Sequence, residues 1–157
     1  MEDDNSELIL EAMLTTHEQQ LQTLRQRRLS LLKIASFNIV LLSIFVGLAG
    51  LAVRAQLSIG FFEFSVPIAL VITATLMAVG KYKDIGEHWG YGLDREFTAE
   101  MNAIPRDSAL NEIVGIYEAA NEENRKEIRA IETWIFRIIL VMCASLGTLF
   151  GLILYSA

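Results

Sequence analysis

Histidines are the first residues to consider for chemistry, because imidazole binds metals and transfers protons near neutral pH. The chain contains only two of them, His17 and His88. A zinc site needs further ligands at helical or short-loop spacing, such as a second histidine four residues along. His17 has Glu18 beside it and no such partner. We therefore expect no metal site and no cofactor.

His88 lies in an aromatic segment, 87–91, that could form a ligand-binding loop. Trp89 and Tyr91 stand on its C-terminal side and could stack on a ligand. Aromatic residues of this kind are also typical of the lipid–water interface, where they anchor a protein. Both interpretations stay open on the sequence.

Catalytic motifs are missing from the sequence. It contains no P-loop, no glycine-rich dinucleotide fingerprint, no nucleophile elbow and no zincin motif. Its net charge of −6 argues against a nucleic-acid polymer as partner, since such binders carry basic surfaces. The single cysteine, Cys143, excludes an internal disulfide. We expect a protein that is not an enzyme and has no catalytic residues.

Three polar residues interrupt otherwise apolar stretches, namely Glu63, Asn38 and Arg137. In an oligomer, Glu63 could form a carboxylate ring at a pore mouth that favours cations. It could equally reach water from a position close to the membrane surface. Arg137 could extend its side chain to the lipid headgroups, or contact Asn38 if the helices that carry them touch.

The elements that must position these residues are three apolar blocks, because the hydrophobic and charged residues are segregated along the chain. Hydrophobic residues make up 53% of the sequence and charged residues 20%, with a mean hydropathy of +0.40. Blocks 34–53, 59–80 and 134–155 each hold about 20 residues, enough for about 30 Å of helix and hence for a bilayer core. The sequence predicts three transmembrane helices, with a short outer turn at 54–58.

The basic residues predict the orientation, because Lys and Arg near the ends of a span resist translocation. Segments 1–33 and 81–133 carry most of them, whereas Arg54 stands alone in the turn between the first two blocks. We expect a multi-pass protein of the cell membrane whose N-terminus and segment 81–133 are cytoplasmic and whose C-terminus is outside.

The two cytoplasmic segments each carry a stripe of apolar residues at spacings of three and four, typical of a helix that packs along one face. In the amphipathic helix predicted for 1–33 this stripe includes Leu14, Leu21 and Leu24. In the linker and helix predicted for 81–133 it includes Tyr117 and Ile128. The two stripes could pair within one chain as a parallel stalk, or each could pack on another copy.

Small residues at four-residue spacing form ridges on two of the apolar blocks. Cys143, Gly147 and Gly151 make one ridge, and Ser43 and Gly47 make a weaker one. Small side chains let helix backbones approach closely in a membrane. We expect helix contacts at both ridges, either within one subunit or between subunits.

The layout resembles small three-span membrane proteins of haloarchaea and bacteria, in particular the SLATT-type and Pycsar-type transmembrane effectors of anti-phage defence. Three stretches carry the resemblance, namely 17–31 before the first block, 93–97 after the second and 116–124 before the third. The resemblance implies an effector that disrupts the membrane in response to a cyclic-nucleotide signal, and hence a nucleotide ligand.

Two functions follow as expectations for an all-α membrane protein with three transmembrane helices and two long cytoplasmic helical extensions. The first is a homo-oligomeric gated pore or membrane-perturbing effector. The alternative is a membrane-anchored scaffold or sensor that binds a soluble protein through its cytoplasmic helices.

Overall fold

The computed structural model describes residues 3–55, 63–88 and 95–156, and within these ranges it is all-helical. Four helices follow one another along the chain: α1 (Asp3–Arg54), α2 (Ser65–Asp84), α3 (Arg95–Ala103) and α4 (Arg106–Ser156). The described part contains no strand. The all-α class predicted from the sequence is therefore confirmed.

Helix α1 is continuous through the border between its polar and apolar parts. No proline occurs in it, and its only glycines, Gly47 and Gly50, fall in the last turns, so nothing in the sequence interrupts the backbone hydrogen bonds. The predicted segments 1–33 and 34–53 are thus two parts of one helix. Of the predicted outer turn, Ala55 is a turn residue, and 56–58 lie outside the described residues.

Helix α2 begins later than the apolar block predicted for 59–80. Its first residue is Ser65, residues 63 and 64 form a turn, and 59–62 lie outside the described residues. Pro67 lies in the first turn, where the missing N–H costs no helical hydrogen bond. At the other end the helix runs to Asp84, with Lys81 and Lys83 in the last turn, where basic side chains interact favourably with the helix dipole.

Pro105 separates α3 from α4. The residue before a proline is disfavoured in the helical conformation, so α3 ends at Ala103. The carbonyl of Pro105 then accepts a hydrogen bond from the Ala109 N–H at 3.0 Å, which starts α4. Asp107 in the first turn favours this start electrostatically.

The chain divides into two compact units. Unit 1 consists of Met1–Gln26 and Gly86–Ala130, and unit 2 consists of Arg27–Ile85 and Ile131–Ala157. Their borders fall close to the sequence borders between charged and apolar segments. In unit 1 the N-terminal part of α1 packs against that of α4, burying Leu21, Leu24 and Ala120.

Unit 2 packs α1, α2 and the C-terminal part of α4 around a narrow core. The largest buried side chain, Phe45, is surrounded by small or branched residues of all three helices. Alternating large and small side chains let helices interdigitate closely. The other buried residues of this core include Ala49, Ala52, Val71, Ala74, Ala78, Ile138 and Leu149.

The outer surface of unit 2 is strongly apolar. In the most hydrophobic stretches of α1, α2 and α4 only 22%, 22% and 17% of the residues are buried. Large side chains such as Val40, Leu76 and Phe136 are more than half exposed. Water-soluble monomers rarely expose continuous apolar surface of this extent. All three helices are long and apolar enough to cross a membrane.

Candidate functional site

A buried histidine–asparagine pair lies between α1 and α4 in unit 1. His17 is only 5% exposed, and its Nδ1 atom lies 2.8 Å from Oδ1 of Asn121. An amide oxygen only accepts hydrogen bonds, so Nδ1 carries the proton and donates it to this contact. The amide nitrogen of Asn121 donates in turn to the carbonyl of Met13 at 3.5 Å. The Asn121 side chain of α4 therefore contacts both a side chain of α1, His17, and a backbone carbonyl of α1, that of Met13.

The second ring nitrogen of His17 has no hydrogen-bond partner among the described residues, although it is buried. In the tautomer that carries its single proton on Nδ1, Nε2 presents a lone pair. The edge-to-face contact of the ring with Tyr117, at a centroid distance of 5.2 Å and an interplanar angle of 77°, fixes its orientation. Oε1 of Gln20, one turn along α1, is also buried without a described partner. Unit 1 thus contains two buried acceptors that a polar ligand or a water molecule could satisfy.

Asn124 fastens the segment that follows α2 to α4. Its Oδ1 accepts a hydrogen bond from the His88 backbone N–H at 3.0 Å, and its Nδ2 donates to the His88 carbonyl at 2.8 Å. An ion pair between Arg25 and Glu87, with a shortest N–O distance of 3.6 Å, ties the same segment to α1. The His88 side chain itself is exposed, and the predicted ligand-loop residues Trp89 and Tyr91 lie outside the described residues.

An open groove of about 660 Å³ runs along one side of the α1–α4 pair in unit 1. Small side chains line much of it, and its charged residues are Glu118, Glu122 and Arg125. Because two carboxylates outnumber one guanidinium, the charge of this groove does not suit a polyphosphate ligand. The remaining lining residues are Ile9, Ala12, Met13, Thr16, Gly115, Ala119 and Asn121. Within the described ranges no three His, Cys, Asp or Glu side chains come together as they would at a metal site.

The contact between Asn38 and Arg137 that the sequence left possible does not form among the described residues. Asn38 is fully buried in unit 2, and neither atom of its amide has a hydrogen-bond partner among the described residues. Arg137 is exposed, with its guanidinium 5.5 Å from the centre of the Trp134 ring. The two side chains point to different faces of the helices: Asn38 faces the core, and Arg137 lies on the outer face of α4.

Glu63 lies outside the helix that the sequence assigned to it. It is an exposed residue of the turn that precedes α2. Two features explain the difference: Pro67 favours a position in the first turn of a helix, and the hydrogen bond from Ile68 N to Phe64 O begins the helix there. The carboxylate is accordingly not buried within the apolar block.

Both small-residue ridges are exposed within a single chain. Ser43, Gly47, Cys143, Gly147 and Gly151 all lie on the outer surface of unit 2. A Cβ atom built at any of the three glycines would meet no described atom within 4 Å. The three glycines of the ridges therefore have open space beside them in the single chain. Of the two alternatives left by the sequence, this exposure favours a contact between subunits.

The small residues that do join the helices of unit 2 were missed by the sequence analysis. They are alanines on the opposite faces of the same helices, together with the fully buried Ser145, whose hydroxyl donates to the Pro67 carbonyl at 2.8 Å. Val71, Ala74 and Ala78 recur at spacings of three and four, but the other faces of α2 are apolar as well, so the spacing does not single them out. The Ser145–Pro67 bond carries no signal in the sequence.

The predicted stripes coincide with the interface in unit 1, apart from one residue. Leu21 and Leu24 are buried, and Tyr117 and Ile128 are half-buried. Leu14 is 37% exposed, however, because Met13 and His17 occupy the face of α1 that points toward α4 at this level. The two stripes thus pack against each other within one chain, which is the first of the two arrangements given by the sequence.

Comparison of the chain with protein-family models, with curated proteins and with solved structures finds no match.

Proposed function

We propose that this chain is an integral membrane protein that crosses the bilayer three times and assembles into homo-oligomers. The carrying observation is the pairing of an apolar exterior with exposed small-residue ridges in unit 2. The large exposed apolar side chains can pack against lipid acyl chains, whereas a ridge of glycines favours close approach of another helix. Lys and Arg residues near the span ends support a cytoplasmic location for unit 1.

The subunit count of two variants tests the assembly. Replacing Gly147 and Gly151 together with leucine should convert the oligomer to monomers in native mass spectrometry, because the added side chains keep neighbouring helices apart. The fold should survive, since a Cβ at either site meets no described atom. Ala144→Leu is the matched control: it adds a leucine at an exposed position outside the ridge. An unchanged subunit count in the double variant would refute assembly through this ridge.

A gated pore or membrane-perturbing effector is the function that such an oligomer supports best. The hydroxyls of Ser43 and Thr73 on the outer surface bond to carbonyls of their own helices, at 3.0 and 2.8 Å, and so offer little to water. A conduit lined by these faces would be narrow and apolar, which is how hydrophobic constrictions hold a pore closed. Opening would then require the ridges to separate.

The exposed turn at Glu63 provides the test of conduction. A ring of these carboxylates at the outer mouth should favour cations. Glu63→Gln should shift the reversal potential measured in a salt gradient toward the anion side, while Glu118→Gln in unit 1 should leave it unchanged. An identical reversal potential in Glu63→Gln would remove this residue from the conduction path.

A scaffold or sensor is the second candidate, and the open groove of unit 1 favours it. Leu21 and Leu24 are buried in the α1–α4 interface, so a partner would use the groove instead. A helix of a soluble protein suits its small side chains and mixed charges. Gly115→Leu should abolish cross-linking of such a partner to the groove, whereas Gly50→Leu should not; both glycines have open space at the Cβ position among the described atoms.

A further inference from the structure

A second groove, in unit 2, lies between α2 and α4. Its volume is about 400 Å³, and it is open to the surface. Helix α2 supplies one wall from residues that recur at spacings of three and four, and α4 supplies a tryptophan opposite. The lining residues are Leu76, Met77, Gly80, Lys81, Asp84 and Trp134.

The lining changes from apolar to charged along α2. Leu76 is 67% exposed at one end, and Asp84, two turns further on, is exposed at the other. Two turns of helix span about 11 Å, which is the scale of the passage from acyl chains to headgroups. Trp134 of α4 lines the same groove, and tryptophan is enriched at membrane interfaces. The groove thus matches an amphiphile that lies along the helix.

The charges specify the headgroup. Lys81 and Asp84 offer a cation and an anion in the same groove, and the guanidinium of Arg137 lies 5.5 Å from the Trp134 ring centre on α4. A phosphate suits the cations, and a primary ammonium can donate hydrogen bonds to the carboxylate. A quaternary ammonium has no N–H to donate, and an anionic headgroup without an amine would face Asp84 unfavourably.

Gly80 leaves the groove open at its centre. A Cβ atom at this position would meet no described atom within 4 Å, so the space beside the helix is free for a ligand. We propose that this groove binds one phospholipid whose headgroup carries both a phosphate and a primary ammonium, as phosphatidylethanolamine does. The proposal rests on the membrane insertion proposed above.

Native mass spectrometry of the full chain, titrated with phosphatidylethanolamine, phosphatidylcholine and phosphatidylglycerol, tests the proposal. We expect tighter binding of phosphatidylethanolamine than of the other two. Gly80→Leu fills the groove and should weaken that binding about tenfold or more, because the leucine side chain takes the space of the lipid. Gly50→Leu is the matched control, because it adds the same side chain at another glycine with open space, and it should leave binding unchanged.

Two further variants keep the test independent of folding. Lys81→Gln should weaken binding of all three phospholipids, whereas Asp84→Asn should remove the preference for ethanolamine over choline. The proposal would be overturned if Gly80→Leu and Gly50→Leu retained lipid equally, or if the protein showed no preference among the headgroups. Either result would mean that the protein binds only non-specific annular lipid. Membrane fractionation of the same variants separates this failure from that of the proposed function: a chain that fractionates as soluble protein refutes membrane insertion itself.

Discussion

Asn38 is the most unusual single residue of unit 2, because a buried amide normally has hydrogen-bond partners. Its carbonyl and its amino group both lack one among the described residues. An unsatisfied polar group costs free energy on burial, and an apolar side chain of similar size removes that cost. The residue therefore either binds something polar or lowers the stability of the helix bundle.

Asn38→Leu should raise the free energy of unfolding by about 1–2 kcal/mol if the amide is unsatisfied in the bilayer. Thermal unfolding in detergent, followed by circular dichroism, measures the change. Ser145→Ala is the control, because it deletes the bond to the Pro67 carbonyl and should cost about 0.6 kcal/mol. A loss of stability in Asn38→Leu would show that the amide has a partner, such as water or another subunit.

Glu123 and Lys126 form an exposed pair on α4, with Nζ 2.8 Å from Oε1. The hydrogen bond and the charge of Lys126 lower the pKa of Glu123 from its ordinary value of 4.5, and the same carboxylate raises the pKa of Lys126. Because the folded pKa of Glu123 is lowered, its stabilising effect is fully present above pH 4.5 and is lost as the pH falls through the lowered value. The effect is small, since both groups are solvated.

Lys126→Gln should return the pKa of Glu123 toward 4.5, because it removes both the hydrogen bond and the charge. Carboxyl-carbon NMR titration measures this pKa. Arg125→Gln, at the neighbouring position, should change it much less. A pKa of Glu123 that does not move in Lys126→Gln would mean that the pair does not form in solution.

At the scale of elements, Asn124 positions residues 86–88 against α4. Its amide accepts a hydrogen bond from the His88 N–H and donates one to the His88 carbonyl, in the manner of a neighbouring strand. Residues 86–88 are not helical, so these two contacts and the Arg25–Glu87 ion pair hold them within unit 1.

Asn124→Ala should therefore release this segment while leaving α4 intact. We expect hydrogen exchange at the His88 amide to accelerate about tenfold or more, corresponding to the loss of about 1–2 kcal/mol of protection. Amides in the middle of α2 should keep their rates. Unchanged exchange at His88 would show that other contacts hold the segment in place.

At the scale of the whole molecule, the proposed topology assigns unit 1 to the cytoplasm and the turn before α2 to the opposite side. In a Cys143→Ala background, Arg125→Cys should react with a membrane-impermeant maleimide only after the cells are permeabilised. Glu63→Cys should react in intact cells. Both positions are exposed, so burial does not confound the comparison. The reverse labelling pattern would indicate the opposite membrane topology. Labelling of both cysteine variants in intact cells would argue against membrane insertion.

The all-α class and the main helices follow from local patterns in the sequence. The spacing of Leu21, Leu24 and Tyr117 predicted the helix faces of unit 1, because helical periodicity is a local property. The long apolar blocks likewise predicted helices able to cross a membrane, since length and hydropathy suffice for that inference. The exact start of α2 at Ser65 was missed, because the apolar run continues upstream of it and masks the turn at Glu63.

Which face of each helix points inward depends on how the helices pack together. Gly147 and Ser145 are two residues apart on α4, yet the serine is buried and the glycine is exposed. In an apolar segment both faces are hydrophobic, so periodicity does not distinguish the helix-facing side from the lipid-facing side. The same holds for the polar pairs: His17 meets Asn121 across 104 positions of sequence, a contact that depends on the register of two helices rather than on either one alone.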